Sequence, residues 1–190
     1  MRITNAIKES ILTKQRILAD EQLIETITNV ANICTEAFCD GKKVLFCGNG
    51  GSAADAQHLA AEFSGRFNYD RAPLPSEALH VNTSYLTAVA NDYSFDEVYS
   101  RMLRGIGKEG DVLIAISTSG NSGNILRALQ TAREMGVITV GLTGESGGKM
   151  KNLCDYLVNV PSSETPRIQE SHIMIGHIIC DFVESTIFPK

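Results

Sequence analysis

The sequence lacks the features that mark nucleic-acid-binding, secreted and membrane proteins. Lysine and arginine form no run, and the 190-residue chain carries a formal net charge of −5, which argues against a general nucleic-acid binder. Residues 1–15 lack the apolar core of a signal peptide, and no apolar stretch approaches the ~20 residues that a membrane-spanning helix needs. We therefore expect a cytoplasmic protein that binds neither nucleic acid nor membranes.

The chain contains cysteines, but their pattern is not that of a disulfide-bonded protein. The chain has five cysteines, an odd number, and no two of them form a CxxC pair. This usage argues against both a disulfide scaffold and a cysteine zinc site, and it favours free, mostly buried thiols in a reducing compartment. The five residues are Cys34, Cys39, Cys47, Cys154 and Cys180.

The hydrophobic pattern predicts a helical pair followed by an alternation of strands and helices. Residues 3–18 and 21–39 repeat apolar side chains at helical spacing, and Gly41 is a plausible stop for the second helix. Predicted strands follow at 43–47, 78–81, 112–116, 137–142 and 156–160. Predicted helices lie at 53–64, 84–91, 95–105, 122–135 and 167–185, the last with Thr165 as its cap and Pro166 at its first position.

The apolar runs indicate the fold class. They are nearly continuous, which is typical of strands covered on both faces, and the helices between them imply right-handed crossovers and a parallel sheet. We predict a single domain over 1–190 with a doubly wound, flavodoxin-like α/β fold. Its five-stranded parallel sheet occupies 41–190, and the N-terminal helical pair occupies 1–40. Ligands of such sheets bind outside the carboxyl ends of the strands.

Two loops at that edge are rich in glycine and serine. Gly48-Asn49-Gly50-Gly51-Ser52 follows the first predicted strand, and Ser117-Thr118-Ser119-Gly120-Asn121-Ser122 follows the third. Glycine lets backbone amides approach an anion, and hydroxyls at a helix start can surround a phosphate without lysine or arginine. For one such loop, a turn with capping side chains is the simpler interpretation. Two on the same edge favour a phosphate site.

Nucleotide-binding signatures are missing or weak. The chain contains no GxxxxGK[ST] motif, and Gly48-x-Gly50-x-x-Ala53 fits the dinucleotide fingerprint only loosely. The second predicted strand ends in ALHVNTS, without the carboxylate that a nicotinamide-binding unit uses. A small phosphorylated metabolite is therefore the favoured ligand.

Ionisable side chains follow the first loop. His58 and Glu62 are four residues apart and share a helix face, so they can bind a divalent metal or form a simple surface hydrogen bond. The helix around them is otherwise rich in alanine and leucine, and a charged pair on a helix that is expected to be buried needs a partner. A functional role for His58 and Glu62 is therefore favoured over a simple surface hydrogen bond.

The final predicted helix carries more candidates than spacing alone can resolve. His172 and His177 are about 140° apart around a helix and cannot both face one metal. Gln169 and Glu170 both lie near His177 in angle, so geometry does not choose between them. His177 also stands among isoleucines, so a buried structural histidine is the alternative.

Several motifs, in order along nearly the whole chain, resemble one family. The stretches CGNGGSAADAQHLAAEFSGRF, AVANDYSFDEVYSR, AISTSGNSGN, LTGESGGKM and RIQESHIMIGH are similar to phosphoheptose isomerases of the sugar isomerase (SIS) superfamily. The resemblance implies interconversion of sedoheptulose 7-phosphate and D-glycero-D-manno-heptose 7-phosphate, which supplies heptose for bacterial lipopolysaccharide or capsule. It also implies a cytoplasmic homotetramer whose active sites lie at subunit interfaces and hold one zinc ion per subunit.

The resemblance further implies roles for individual residues. The zinc ligands would be His58, Glu62, Gln169 and His177, and the N-terminal helices at 1–40 would supply oligomer contacts. The substrate contacts would be Asn49, Gly50, Gly51, Ser52, Glu62, Asn91, Asp92, Ser117, Thr118, Ser119, Ser122 and Gln169.

For the chemistry, we hypothesise that Glu62 is the base that moves a proton between C1 and C2 of the sugar, and that His177 is the acid/base group at the sugar oxygens. A glutamate bound firmly to zinc is a poorer base, so the two roles of Glu62 are in tension.

Two other functions remain open at this point. The chain is also similar to the DiaA group of the same superfamily, which binds the replication initiator DnaA, through its ANDYSFDEVYS stretch and its CDFVESTIFPK ending. A sugar-phosphate sensor without chemistry is the third hypothesis. The presence of both Glu62 and His177 favours the isomerase.

Overall fold

A computed structural model of the chain describes residues 2–190 and contains one five-stranded sheet. All strand pairs are parallel, in the order β2-β1-β3-β4-β5. The strands are β1 Val44–Gly48, β2 Ser76–Ala78, β3 Val112–Ile116, β4 Ile138–Thr143 and β5 Tyr156–Asn159. This is the strand order of flavodoxin-like proteins, so the predicted fold class is confirmed.

Seven α-helices surround the sheet in the described part of the chain. They are α1 Arg2–Ala19, α2 Glu21–Cys39, α3 Gly51–Ser64, α4 Thr83–Asp92, α5 Val98–Ile106, α6 Gly123–Glu134 and α7 Thr165–Ile187. Short 3₁₀ turns precede α5 at Phe95–Glu97 and precede β5 at Gly148–Asn152. None of the helices in residues 2–190 is long and apolar enough to cross a bilayer.

Two apolar cores form because successive strand residues face opposite sides of the sheet. Val44 and Phe46 of β1 point into a core shared with α2, α3 and α7. Leu45 and Cys47 of the same strand point into a core shared with α4, α5 and α6. All five residues of β1 are buried, which explains its continuous apolar sequence.

The second strand lies earlier than predicted. Instead of 78–81, the strand spans Ser76–Ala78, and Ala78 is paired with Phe46 of β1. The amide of Leu79 still donates to the Phe46 carbonyl at 2.9 Å, but the chain then turns towards α4. Burial of Leu79 in the second core gave this run its strand-like appearance.

Two helix starts also differ from the predictions. Glu164, not Thr165, is the N-cap of α7, which places Pro166 in the first turn, where its missing N–H is not needed. The stretch predicted as a helix over 95–105 begins instead with the 3₁₀ turn Phe95–Glu97 before α5.

The sheet edge and one close helix contact define where the site lies. Gly48 and Ile116 are paired at the ends of β1 and β3, so the two predicted loops begin side by side. The α7 helix packs on α3 at Gly176, where an added Cβ would lie 2.5 Å from Leu59 Cδ1. A side chain at position 176 would therefore have to displace Leu59 for the helices to approach this closely.

Gly176→Ala is expected to lower the free energy of unfolding by about 1–3 kcal/mol, because the new methyl group overpacks Leu59, which is 1% exposed. Equilibrium denaturation in urea measures the change.

Gly105→Ala is the matched control for that variant. Gly105 also lies in a helix, but an added Cβ there meets nothing within 4 Å. This substitution should raise stability by about 0.5–1 kcal/mol through helix propensity. Equal effects of the two alanines would contradict the close packing of α7 on α3.

Candidate active site

Three predicted site residues converge between α3 and α7. His58 Nε2 lies 2.9 Å from Glu62 Oε1, and His177 Nε2 lies 3.3 Å from His58 Nε2. One ligand atom from each residue lies within 4.8 Å of the others. His58 is exposed and the other two are half-buried, so the cluster is open to solvent and to a ligand in this chain. The structure thus places His177 at the cluster and not in the core.

The donor atoms of this cluster fit a zinc ion. Two imidazole nitrogens and one carboxylate oxygen are zinc ligands, and a tetrahedral zinc with bonds of about 2.0–2.1 Å holds its ligand atoms about 3.3 Å apart. The 3.3 Å between His177 Nε2 and His58 Nε2 agrees with that spacing. The chain therefore presents three converging donor atoms, of which the two imidazole nitrogens have the separation that zinc requires.

Gln169, the fourth predicted ligand, lies against the first loop. Its Nε2 is 2.5 Å from where a Cβ on Gly51 would stand, so the absence of a side chain at Gly51 makes room for the amide. The zinc role of Gln169 stays a prediction. Glu170, the alternative that spacing left open, is instead paired with Arg167, which also donates to the carbonyl of Ala6 in α1.

The first loop has a shape that glycine makes possible. Gly50 is the N-cap of α3 with a φ of 54°, a region that other residues rarely adopt. A Cβ at Gly48 would collide with the carbonyl of Ser52. Asn49 then joins this loop to α6, because the amides of Asn49 and Asn124 exchange two hydrogen bonds of 2.9 Å.

The second loop brings two of its hydroxyls together. Ser122 is the N-cap of α6, yet within the described chain its side chain caps no helix amide; its hydroxyl lies 3.1 Å from that of Ser117. Ser119 accepts from the Asn121 amide at 3.2 Å and helps to form the turn. The simpler interpretation of these serines, as turn residues, therefore holds for Ser119 but not for Ser122. Thr118 is half-buried beside them.

A third loop after β4 supports the second. An added Cβ at Gly148 would lie 2.5 Å from the carbonyl of Ser119, and one at Gly144 would lie 3.0 Å from that of Thr118. The Met150 amide also donates to the Gly120 carbonyl at 3.1 Å. These contacts explain Gly144 and Gly148 of the LTGESGGKM stretch.

Asn91 and Asp92 lie at the exposed end of α4, where Asn91 Nδ2 donates to Asp92 Oδ1 at 2.9 Å. Within residues 2–190, no side-chain hydrogen bond joins them to the two loops. Four residues after Asp92, however, the Asp96 carboxylate lies against Gly123, the first residue of α6. The segment after α4 therefore reaches the second loop.

Two residues that sequence reasoning missed also contact the site elements. The Tyr99 hydroxyl, buried on α5, donates to the Gly48 carbonyl at the start of the first loop. Asp55, one turn before His58 on α3, has a carboxylate oxygen without a hydrogen-bond partner among the described residues. Burial raises the pKa of Asp55, and the nearby His58 and His177 oppose that rise. The position of Asp55 beside His58 at helical spacing was the available signal.

His172 lies away from the cluster, as its angle around the helix predicted. It is fully buried, with Nε2 3.3 Å from the Thr143 carbonyl at the end of β4. Burial lowers the pKa of His172 to about 4, so the imidazole is neutral in the folded protein. It is a structural histidine.

Comparison with known proteins agrees with this arrangement. A family model described as the SIS domain matches residues 9–144. The chain is 58% identical over 186 residues to the phosphoheptose isomerase of Aneurinibacillus thermoaerophilus, covering 98% of this chain and 94% of the relative. It is 56% identical to that of Clostridium acetobutylicum, covering 96% and 93%. This chain belongs to the phosphoheptose isomerase family.

A solved member of the phosphoheptose isomerase family has the same fold. The structure of phosphoheptose isomerase GmhA from Neisseria gonorrhoeae superposes with a TM-score of 0.91 at 43% identity, covering 97% of each chain. The predicted family and the predicted enzyme class, an aldose–ketose isomerase, are therefore confirmed. The DiaA-like alternative is not favoured by these relatives.

The buried imidazole predicts an acid-sensitive contribution to stability. Because the pKa of His172 falls from 6.5 when exposed to about 4 when folded, the unfolded chain binds the extra proton between these values. The contribution of the neutral imidazole to the free energy of unfolding is thus fully present above pH 6.5, and it is lost as the pH falls towards 4. The free energy of unfolding of the His172→Gln protein should depend less steeply on pH, by at most about 1.4 kcal/mol per pH unit.

Urea unfolding of both proteins at pH 5 and pH 7 measures this difference. Identical pH slopes for the parent and the His172→Gln protein would contradict the assignment of a neutral, buried imidazole.

Proposed function

We propose that this chain converts sedoheptulose 7-phosphate to D-glycero-D-manno-heptose 7-phosphate through an enediolate, for heptose that enters lipopolysaccharide or capsule. The observation that carries the proposal is the convergence of a carboxylate, Glu62, and an imidazole, His177, between α3 and α7, in a chain whose loops after β1 and β3 are suited to a phosphate. The relatives named phosphoheptose isomerase support the same substrate.

The carboxylate and the imidazole divide the proton transfers between them. Glu62 takes a proton from C1 of the ketose. A double bond forms between C1 and C2, and the carbonyl oxygen on C2 becomes an oxygen of the enediolate. The same carboxyl group returns the proton to C2, while His177 moves protons at the two oxygens so that C1 becomes the aldehyde. No net oxidation occurs, so no nicotinamide is needed.

The phosphate end of the sugar is held without lysine or arginine. Within the described chain, the side chain of Ser122 does not cap α6, which leaves the first amides of that helix to face an anion. The hydroxyls of Ser117 and Ser122 complete this cradle. A fixed phosphate places the reacting carbons beside Glu62 and so lowers the entropic barrier.

Zinc completes the proposed site. His58, Glu62 and His177 would hold the ion, with Gln169 as the fourth proposed ligand. When bound, zinc supplies Lewis-acid polarisation of a carbonyl oxygen. Glu62 would then serve two purposes, as a zinc ligand and as the base.

We further propose a cytoplasmic homotetramer with sites at the subunit interfaces. Its support is an apolar stripe of α1 at helical spacing, in which Ile3, Ile7 and Ile11 are 78%, 56% and 50% exposed. Exposed Ala54 and Ala61 of α3 border the groove that contains His58 and Glu62, which leaves room for another chain to complete the site. The five free cysteines suit a reducing compartment.

Glu62→Gln should reduce kcat on sedoheptulose 7-phosphate at least ~10³-fold, because the amide cannot accept the carbon-bound proton. Folding should be retained, and product formation is followed by NMR. The control is Glu134, an exposed carboxylate on α6 that pairs with Arg104 of α5. The Glu134→Gln protein should keep wild-type activity. Wild-type turnover in the Glu62→Gln protein would refute the base assignment.

Removal of the metal should also lower turnover. Chelator-treated protein is expected to lose at least tenfold in kcat, because the Lewis acid is then missing from the site. Adding one zinc per chain should restore kcat. His58→Ala should lower the zinc content, measured by atomic emission, whereas His172→Gln should retain it. Full zinc content in the His58→Ala protein would contradict the proposed ligand set.

A further inference from the structure

Arg71 occupies an unusual position at the end of α3. Its side chain is 2% exposed, and its guanidinium group donates to several carbonyls where the helix ends. Nη2 donates to the carbonyl of Glu62 at 2.8 Å, and Nη1 donates to that of Phe63 at 2.7 Å. Nη1 also donates to Gly65 at 3.1 Å. A cation that satisfies the last carbonyls of a helix fixes that helix end.

Glu184 on α7 is the partner of Arg71. Its carboxylate is 1% exposed and accepts from Arg71 Nε at 3.0 Å, from the Phe67 amide at 2.9 Å and from the Asn68 amide at 2.7 Å. Burial disfavours its charge, but these hydrogen bonds outweigh that effect and hold the pKa of Glu184 below its usual value. The carboxylate is therefore ionised and fully partnered.

This ion pair links the two helices that carry the reacting groups. Glu184 follows His177 by seven residues, almost two full turns, so both lie on one face of α7. Arg71 binds the backbone of Glu62 itself. Phe67, held by Glu184, places its ring 5.6 Å from the ring of His177. The pair thus reaches both sides of the cluster without entering it.

The energetics argue for a geometric role. Burying two charges costs desolvation free energy, and an apolar pair of similar volume often stabilises a protein as well or better. Directional hydrogen bonds, in contrast, fix one element relative to another. Here, one guanidinium and one carboxylate join the end of α3, residues 65–72 and α7.

We propose that Arg71 and Glu184 are positioning residues that hold Glu62 and His58 at the correct distance from His177. This inference rests on the proposed isomerase function for its kinetic consequence. A displacement of about 1 Å at a reacting centre can cost about 10²-fold in rate, so loosening the pair should act on kcat more than on KM.

The test compares Glu184→Gln and Arg71→Lys with the wild type. Each variant keeps the side-chain size and weakens the bonds between the two residues. We expect kcat on sedoheptulose 7-phosphate to fall at least tenfold with KM within about twofold, since the phosphate loops are untouched. Zinc affinity, measured by competition with a chromogenic chelator, should weaken at least tenfold, as is common when residues that orient ligands are changed.

The chain offers a matched control in Asp111. Its carboxylate is also 1% exposed, accepts from the Lys43 amide at 3.1 Å and the Lys108 amide at 2.7 Å, and pairs with Lys43 Nζ at 2.7 Å. It precedes β3 and therefore lies at the opposite edge of the sheet from the loops. Asp111→Asn removes a similar buried charge, and we expect kcat and zinc affinity within twofold of the wild type.

The outcomes separate the inference from the proposed function. If folded Glu184→Gln protein keeps kcat within twofold, or if Asp111→Asn loses as much, the positioning role is wrong. Failure of both Glu184→Gln and Arg71→Lys to fold, with Asp111→Asn folded, would assign the pair a purely structural role. Absence of turnover by the wild type would overturn the proposed reaction. In that case, weaker zinc binding by the Glu184→Gln and Arg71→Lys proteins would still support the positioning role.

Discussion

The close packing of α7 against α3 is the constraint on which the candidate site depends. Gly176 removes the side chain that would keep the helices apart, and the next residue, His177, is thereby brought within 3.3 Å of His58. The residues that meet there are 119 positions apart in sequence. The Arg71–Glu184 pair lies two turns farther along the same helix contact. Packing, and not local sequence, therefore brings His58, Glu62 and His177 together.

The rest of the site follows from the parallel sheet. Because β1 and β3 are neighbours and end in register, their loops form one surface, and the exchange of hydrogen bonds between Asn49 and Asn124 holds them together. In the proposed phosphate site, backbone amides and hydroxyls would supply the positive potential, which is consistent with a chain of net charge −5 that has no basic run. Tyr99 and the glycines after β4 support these loops from behind.

The sequence was most informative where a single element carries the signal. Strand burial, the two loops and the pair of His58 and Glu62 follow from local patterns, since continuous apolar runs and i, i+4 spacing have direct structural meaning. The strand predicted at 78–81 was misplaced because burial of Leu79 resembles strand burial. Arg71 and Glu184 left no local signal: a charged residue in a loop and one on a helix usually lie in solvent, and only the tertiary fold pairs them.

A crystal structure of the Glu62→Gln protein soaked with sedoheptulose 7-phosphate would test the central claim most directly. The account predicts the phosphate within hydrogen-bonding distance of the Ser117–Ser122 loop and the C1 and C2 atoms of the sugar between positions 62 and 177. A sugar bound with its phosphate elsewhere, or with C1 and C2 remote from both positions, would contradict it.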